Sequence, residues 1–318
     1  MATLTMRPFQ GEADLNTIAY LINSCDAVDK LEEGTSVTEL WEELNTPSVD
    51  QNRDMRLWED SDGRLIGFGY LWITEPSEKI DGYLSSYIHP SFRSHDLETQ
   101  ILEWASERMC QVSQECGVPV NLRSRARDYQ TERRAFLENH GFKCDRYFFT
   151  MERNLSETIA KPIFPEGFTL HQMHEEDAEA WIEMFNQSFI DHWNHHDITL
   201  ENLKHWLKQS TYRRDLDLVA TAADGTFAAF CYSEINLEEN VRNKRNEGYI
   251  ELLGVRRGFR RLGLGRAILL SGLHQLKAAG VDTVRLGVDA DNPNGALQLY
   301  ESVGFRKIWT KLSYVKDI

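Results

Sequence analysis

The 318-residue sequence is poor in the features that mark several large protein classes. It has five cysteines, Cys25, Cys110, Cys116, Cys144 and Cys231, an odd number and never spaced as Cys-x-x-Cys. That excludes a disulfide framework and a zinc ribbon, and implies reduced thiols in a cytoplasmic protein, each acting as core filler. No run approaches the roughly 20 apolar residues that span a bilayer. The opening "MATLTMRPFQGEADLN" likewise has no apolar stretch of signal-peptide length, so neither membrane nor secretion is expected. Basic residues are outnumbered, 35 Lys and Arg against 50 Asp and Glu, for a formal charge of −15. Nucleic acid is therefore not the main partner, since phosphate binding draws on basic surface. Long single-sign charge blocks are missing too. With 41% apolar residues and eight tryptophans, that excludes disorder.

What is present is length enough for two domains of about 150 residues each, and a pattern that occurs twice. "LTMRPFQGEADLNTIAYLINSCDAVD" (4–29) has an echo in "FTLHQMHEEDAEAWIEMFNQSFIDHW" (168–193), each helical pattern ending near an Asn, Asn23 or Asn186. Two alternating runs joined through Asp-Gly follow in both halves, at 62–63 and 224–225, the signature of a hairpin. A strand, a loop and a helix come next (83–109 and 249–276), then a short helix running into Gly-Phe (133–142 and 296–305). The interval between copies stays near 163–167 residues throughout. This predicts a tandem duplication of one α/β unit, ordered strand–helix–helix–strand–strand–strand–helix–strand–helix–strand, with a mixed sheet flanked by helices. Pro162 and Pro165 interrupt helix and strand at the join, which sets domains at 1–152 and 168–318 and a linker at 153–167. A tandem chain mimics a dimer internally, which favours a monomer.

The acidic chain gathers five arginines and three glycines in "VRRGFRRLGLGRAILL" (255–270), between the buried strand pattern "YIELLGV" and an apolar helix pattern. Glycines let the backbone turn tightly and approach a ligand. Successive amides at a helix N-terminus form an anion nest, suited to a pyrophosphate, with Arg260, Arg261 or Arg266 adding charge. A tight loop with a solvated basic rim is the plainer alternative for a lone Gly-x-Gly. The dinucleotide fingerprint is excluded, because its third glycine is missing. The corresponding stretch of the first copy, "IHPSFRSHDLETQILEWA", puts Arg93 under Arg260, Asp96 under Gly263 and Glu98 under Gly265. Two carboxylates there would repel phosphates.

"GVRRGFRRLGLGRAIL" resembles motif A of the GNAT superfamily of acyl-CoA-dependent N-acetyltransferases, with Arg260, Gly263 and Gly265 in the motif's positions. "VDADNPNGALQLYESVGF" (288–305) looks like motif B through Asn292, Ala296, Tyr300 and Gly304-Phe305. The tandem layout, with the better motif in the second copy, is similar to that of the mycothiol synthases. The resemblance implies an α/β fold of two tandem GNAT-like domains, each a mixed, mostly antiparallel sheet flanked by helices. It implies acetyl-CoA as co-substrate, no metal, and a second domain that is catalytic. The first copy keeps the fold and is expected not to bind acyl-CoA. Leu137 there falls under Tyr300 and removes a hydroxyl.

Acylating an amine with a thioester requires removal of an ammonium proton, a donor for the tetrahedral oxyanion and a proton for the thiolate. No covalent enzyme intermediate is needed. By resemblance Tyr300 stands beside the CoA sulfur as general acid. Glu251 is the candidate base, a carboxylate in an otherwise apolar strand, with Tyr249 two residues earlier on the same face. An outward-facing or salt-bridged glutamate is the alternative. The resemblance places pantetheine along the backbone at Leu253 and Val255, the phosphates over Arg260, Arg261, Leu262, Gly263, Leu264, Gly265 and Arg266, and pantetheine or a water at Asn292.

His192 and His196 in "FIDHWNHHD" are four apart, but the Glu of the zinc-protease pattern is missing. The resemblance implies instead a helix–helix loop that lines the acceptor cleft, with Asp191, His192 and Trp193 expected to touch the acceptor. "NLEENVRNKRNE" (236–247) reads as a mobile solvated loop near the entrance. The acceptor expected is a small-molecule amine. A non-catalytic acyl-CoA-binding or sensing protein is the competing reading; retention of Tyr300 and Glu251 beside the loop favours the enzyme.

Overall fold

The computed structural model describes residues 4–46, 49–76, 78–93, 95–193 and 195–318. The chain forms two compact units, Met1–Asp145 with Leu312–Ile318, and Arg146–Lys311. In the first unit the order is β1 (Thr5–Arg7), α1 (Glu12–Asp29), α2 (Val37–Leu44), β2 (Met55–Glu59), β3 (Leu65–Ile73), β4 (Ile80–Ile88), α3 (His95–Cys116), β5 (Val120–Arg127) and α4 (Thr131–Asn139). β6 (Lys143–Asn154) starts there and continues into the second unit. That unit goes on with β7 (Phe168–Gln172), α5 (Ala178–Phe189), α6 (Leu200–Trp206), β8 (Asp217–Ala222) and β9 (Phe227–Glu234). It ends with α7 (Leu237–Asn243), β10 (Glu247–Val255), α8 (Leu264–Ala278), β11 (Thr283–Asp289), α9 (Ala296–Ser302) and β12 (Arg306–Asp317), whose last residues belong to the first unit.

β1 to β4 run antiparallel and β5 joins β4 in parallel. β7 to β10 repeat that order, β11 joins β10 in parallel, and β6 closes on β11 antiparallel. The strand faces alternate as a two-sided core requires. In β9, Phe230 packs with Trp181, Phe185 and Leu203 beneath α5 and α6, while Cys231 packs with Ile268 and Leu273 of α8. The first unit divides its core in the same way, Leu15, Ile18 and Leu40 on one face and Ile101, Ala105 and Met109 on the other. Local signals start the helices: Ser36 and Thr199 close capping boxes with Glu39 and Asn202.

The duplication is visible in hydrogen bonds. Asn23 Nδ2 donates to the Thr35 carbonyl and its Oδ1 accepts from Thr35 N–H, at 2.7 and 2.9 Å. Asn186 makes the same two bonds with Ile198, at 3.3 and 3.0 Å. Met55↔Tyr70 and Asp217↔Tyr232 open equivalent hairpins, and both ladders slip at the same step, Trp58/Glu59 and Ala220/Thr221. Both copies follow the element order expected from sequence, with one addition. Residues 236–247, read as a loop, contain α7, whose first turn is capped by Asn236 Oδ1 accepting from Glu239 N–H at 2.9 Å.

Two other readings change. Cys25 and Cys231 are buried, but Cys110 and Cys116 stand exposed on α3 and fill no core. Within the segment expected as a linker, 153–167, Leu155 and Ile159 are buried in the second unit's core. Lys277 Nζ donates to the Leu155 carbonyl at 2.6 Å.

Candidate active site

The second unit gathers the residues expected to carry chemistry around the end of β10. The antiparallel ladder of β10 with β9 shifts between Ile250 and Leu252, so Glu251 lies opposite no residue, in a β-bulge. The parallel ladder with β11 ends at Ile250↔Leu286. Beyond the bulge Leu253 and Val255 stay paired with Cys231 and Ala229 of β9, while the edge of β10 facing β11 has no strand partner among the described residues. An open edge of this kind accepts an extended, amide-bearing chain.

The first unit shows what the bulge adds. There the ladder of β3 with β4 runs unshifted, Leu71↔Leu84 followed directly by Tyr70↔Ser85. The matching pairs of the second unit are Ser233↔Ile250 and Tyr232↔Leu252, so Glu251 is one extra residue between them. The residue as a whole is exposed, while protein atoms crowd around its carboxyl. That crowding, with Glu234 and Glu239 adding negative charge and Lys311 opposing, pushes its pKa up to about 8. Tyr249 is also raised, mainly by burial, and its hydroxyl stands close to Gly287 of β11. Tyr300, on α9, is buried in the core, its ring edge-on to Phe305 at 6.0 Å. Its hydroxyl has no hydrogen bond among the described residues, and burial holds it protonated well past the usual tyrosine range.

After Val255 the chain turns through residues 256–263 into α8. Arg261 and Gly263 take left-handed φ values of 65° and 92°. The first hydrogen bond of the helix is donated by Ala267 N–H to the Gly263 carbonyl, at 3.1 Å. The amides of Leu264, Gly265 and Arg266 precede it and have no intrahelical acceptor, so they offer an anion site on the positive end of the helix dipole. Leu264 itself is buried and Leu262 exposed. A Cβ on Gly265 would come within 3.3 Å of Val255 and 3.5 Å of Leu299, so this glycine lets α8, α9 and β10 close together.

The arginines of this loop are mostly committed. Arg260 donates to Asp191 Oδ2 at 2.7 Å, the Ser188 carbonyl at 2.9 Å, Asn294 Oδ1 at 3.1 Å and the Val255 carbonyl at 3.2 Å. Arg266 donates to Ser302 Oγ at 2.6 Å, Arg256 pairs with Glu183, and Arg257 pairs with Asp191. Arg261 is exposed and is the one of the five without a partner among the described residues. The first unit repeats the Arg260 arrangement: Arg93 reaches the Ile88 carbonyl at 3.5 Å and both oxygens of Asp29 at 2.7 and 2.6 Å. A contact retained by the copy that lost the glycines serves the fold, so Arg260 is a staple from loop to α5. Asn294 and Ser188, which complete the staple, carry no signal in the sequence.

Asp191, expected against the acceptor, is thus a counter-ion, and Arg257 and Arg260 hold its carboxyl below the usual range. His192 turns its Nδ1 to the Trp193 carbonyl at 2.9 Å. Trp193 rests on Phe148 of β6 at 5.7 Å and on the Arg146 guanidinium at 5.7 Å, next to the Asp289 end of β11. The loop after α5 is therefore tied on one side to the segment following β10 and on the other to β6 beside β11. Asn292 shapes a turn, its Oδ1 accepting from Asn294 N–H at 2.9 Å.

Residues 178–305 match the Acetyltransferase (GNAT) family. The chain belongs to the GNAT acetyltransferases and is an acyl-CoA-dependent N-acetyltransferase of tandem type. It is similar to the mycothiol acetyltransferase of Thermobispora bispora, 32% identical over 248 residues, 77% of this chain and 78% of that protein. The enzyme of the same name from Nocardiopsis dassonvillei is 26% identical over 94% of this chain and 91% of its own. The fold is shared by a GCN5-related N-acetyltransferase from Sphaerobacter thermophilus (TM-score 0.76, 23% identity, 99% of this chain and 95% of that one). It is shared also by a tandem GNAT protein of the clavulanic acid biosynthesis pathway (TM-score 0.74, 12% identity, 99% of this chain and 98% of that one). Among the described residues no helix is long and apolar enough to cross a membrane.

Proposed function

We propose that the second unit moves an acetyl group from acetyl-CoA to the amine of a small molecule, by direct attack on the thioester. The observation that carries this reading is the bulge at Glu251: an extra carboxylate, absent from the sister copy, beside an open strand edge and above an anion-binding helix end. The pyrophosphate would take the amides of Leu264 to Arg266, with Arg261 as the uncommitted cation. Pantetheine would lie along Leu253 and Val255, which brings the thioester toward Glu251 on one side and the Tyr300 hydroxyl on the other.

Glu251 takes the proton from the bound ammonium, and the freed amine adds to the thioester carbonyl. The strand amide at Leu253 donates to the resulting oxyanion. Collapse of that intermediate breaks the C–S bond, and the thiolate takes the Tyr300 proton. Glu234 and Glu239, which raise the Glu251 pKa, also draw a cationic acceptor toward it. The likeness to mycothiol acetyltransferases supports an amino-sugar or cysteinyl conjugate as acceptor. The first unit, without bulge, glycines or tyrosine, holds the fold and takes no acyl-CoA.

A panel of amines with acetyl-CoA, read by thiol release, tests the reading. Activity should rise with pH through about 8, as Glu251 loses its proton. Glu251→Gln should lower turnover about 10²–10³-fold and remove that limb, leaving only the rise set by the amine itself near pKa ~10. A variant with an intact limb near 8 would discard Glu251 as the base.

A further inference from the structure

In the first unit side chains bridge the place that corresponds to the acyl-CoA channel proposed for the second. The ladder of β4 with β5 ends at Tyr83↔Arg123, and that of β10 with β11 ends a single step beyond the matching pair, Tyr249↔Arg285. Past those points the strands diverge. Across that gap the Arg133 guanidinium, from α4, donates to Ser86 Oγ of β4 at 3.1 Å and Ser124 Oγ of β5 at 3.0 Å. Its other nitrogen lies 3.7 Å from Glu98 of α3. In the second unit the matching positions are Ala296 for Arg133, Leu253 and Leu286 for the serines, and Gly265 for Glu98. One copy lines the space with small and apolar side chains. The other fills it with a bridging arginine, two hydroxyls and a counter-ion.

We propose that Arg133 closes the acyl-CoA channel of the first unit from within, as a strut between β4 and β5 held by Ser86, Ser124 and Glu98. This rests on the reading that the second unit takes acyl-CoA at the corresponding place. It gives Glu98 a purpose that repulsion of phosphate alone does not. Burial pulls the Arg133 pKa down, and Glu98 is the charge that opposes this. A half-buried guanidinium left without carboxylate or hydroxyls would be costly, so the four residues stand or fall together. The bonds also replace the backbone ladder that the two strands lack there, which a channel kept open for a ligand cannot do.

Two measurements test it on the full chain. Calorimetric titration with acetyl-CoA should count one site per chain, and Gly263→Glu, which puts the first copy's negative charge into the second unit's loop, should leave none. One site retained in Gly263→Glu overturns the proposal, because the first unit would then be binding. No site in the unsubstituted chain would instead refute the reading of the second unit. Hydrogen exchange then judges the strut independently. Arg133→Ala should speed exchange about tenfold in residues 84–88 and 124–126. Ser86→Ala, a milder change that removes one acceptor and spares the bond Ser124 Oγ donates to the Leu84 carbonyl at 3.3 Å, should act in the same segments. Unchanged exchange there in both variants overturns the strut.

Discussion

Two glycines that a motif treats alike are needed for different reasons. Gly263 has open space around its missing Cβ but a φ of 92°, so a side chain there is strained by backbone geometry alone. Gly265 has an ordinary backbone but a tight surround, a Cβ there meeting Val255 at 3.3 Å. Alanine at Gly263 should cost about 1–2 kcal/mol of stability while leaving the amides in place. Tyr300 makes a sharper case. Its ring is core and its hydroxyl is unpartnered among the described residues, so Tyr300→Phe removes one oxygen with little effect on packing. Turnover should fall about 10²-fold with acetyl-CoA affinity near that of the parent, measured by stopped-flow and titration. A normal turnover would leave the ring as the whole of Tyr300's role.

At the scale of elements, the duplication separates what the fold needs from what the chemistry needs. The staple from the loop to the first helix of each unit is present twice, as Arg260–Asp191 and Arg93–Asp29, so it belongs to the fold. Removing it should loosen each unit alike, but only the second should change affinity. Arg260→Ala is expected to weaken acetyl-CoA binding through disorder of the loop, and Arg93→Ala to leave the dissociation constant within about twofold. Equal losses from both would contradict the assignment of sites. The sequence made the element order, the hairpins and the helix-end loop legible, because those rest on spacing and on glycine. It did not make the staple legible, because an arginine beside phosphate-loop glycines is indistinguishable from a phosphate ligand until its partners are seen. Nor did it expose the bulge, since one extra residue in "YIELLGV" leaves an apolar strand pattern intact. The helix at Leu237–Asn243 was hidden by its charge: a short, polar segment has no periodic apolar face to read.

For the whole molecule, pH is the variable that gathers these sites into one observable. Three carboxyls of the second unit are raised chiefly by burial: Asp217 and Glu247 to about 7, and Glu251 to about 8. Between about pH 4, where the unfolded chain releases these protons, and pH 7–8, where the folded chain does, the folded state holds more protons. Stability must therefore fall as pH rises through that window. The formal charge of −15 acts in the same direction, through self-repulsion. The Arg-paired acids Asp14, Asp191 and Asp215 are lowered instead and matter only in stronger acid. The melting temperature should be higher at pH 5.5 than at pH 8.5, and a rise with pH would refute the account. Asp217 offers the control. Its counterpart in the register of the first unit is Met55, fully buried, so the fold accepts an apolar side chain there. Asp217→Met spares a buried carboxylate but frees the Tyr212 hydroxyl that donates to Asp217 Oδ2 at 3.3 Å, so its effect on stability should be more favourable at pH 8.5 than at pH 5.5, by about 2 kcal/mol. An effect of equal size at both pH values would mean that packing, not charge, sets the cost of Asp217.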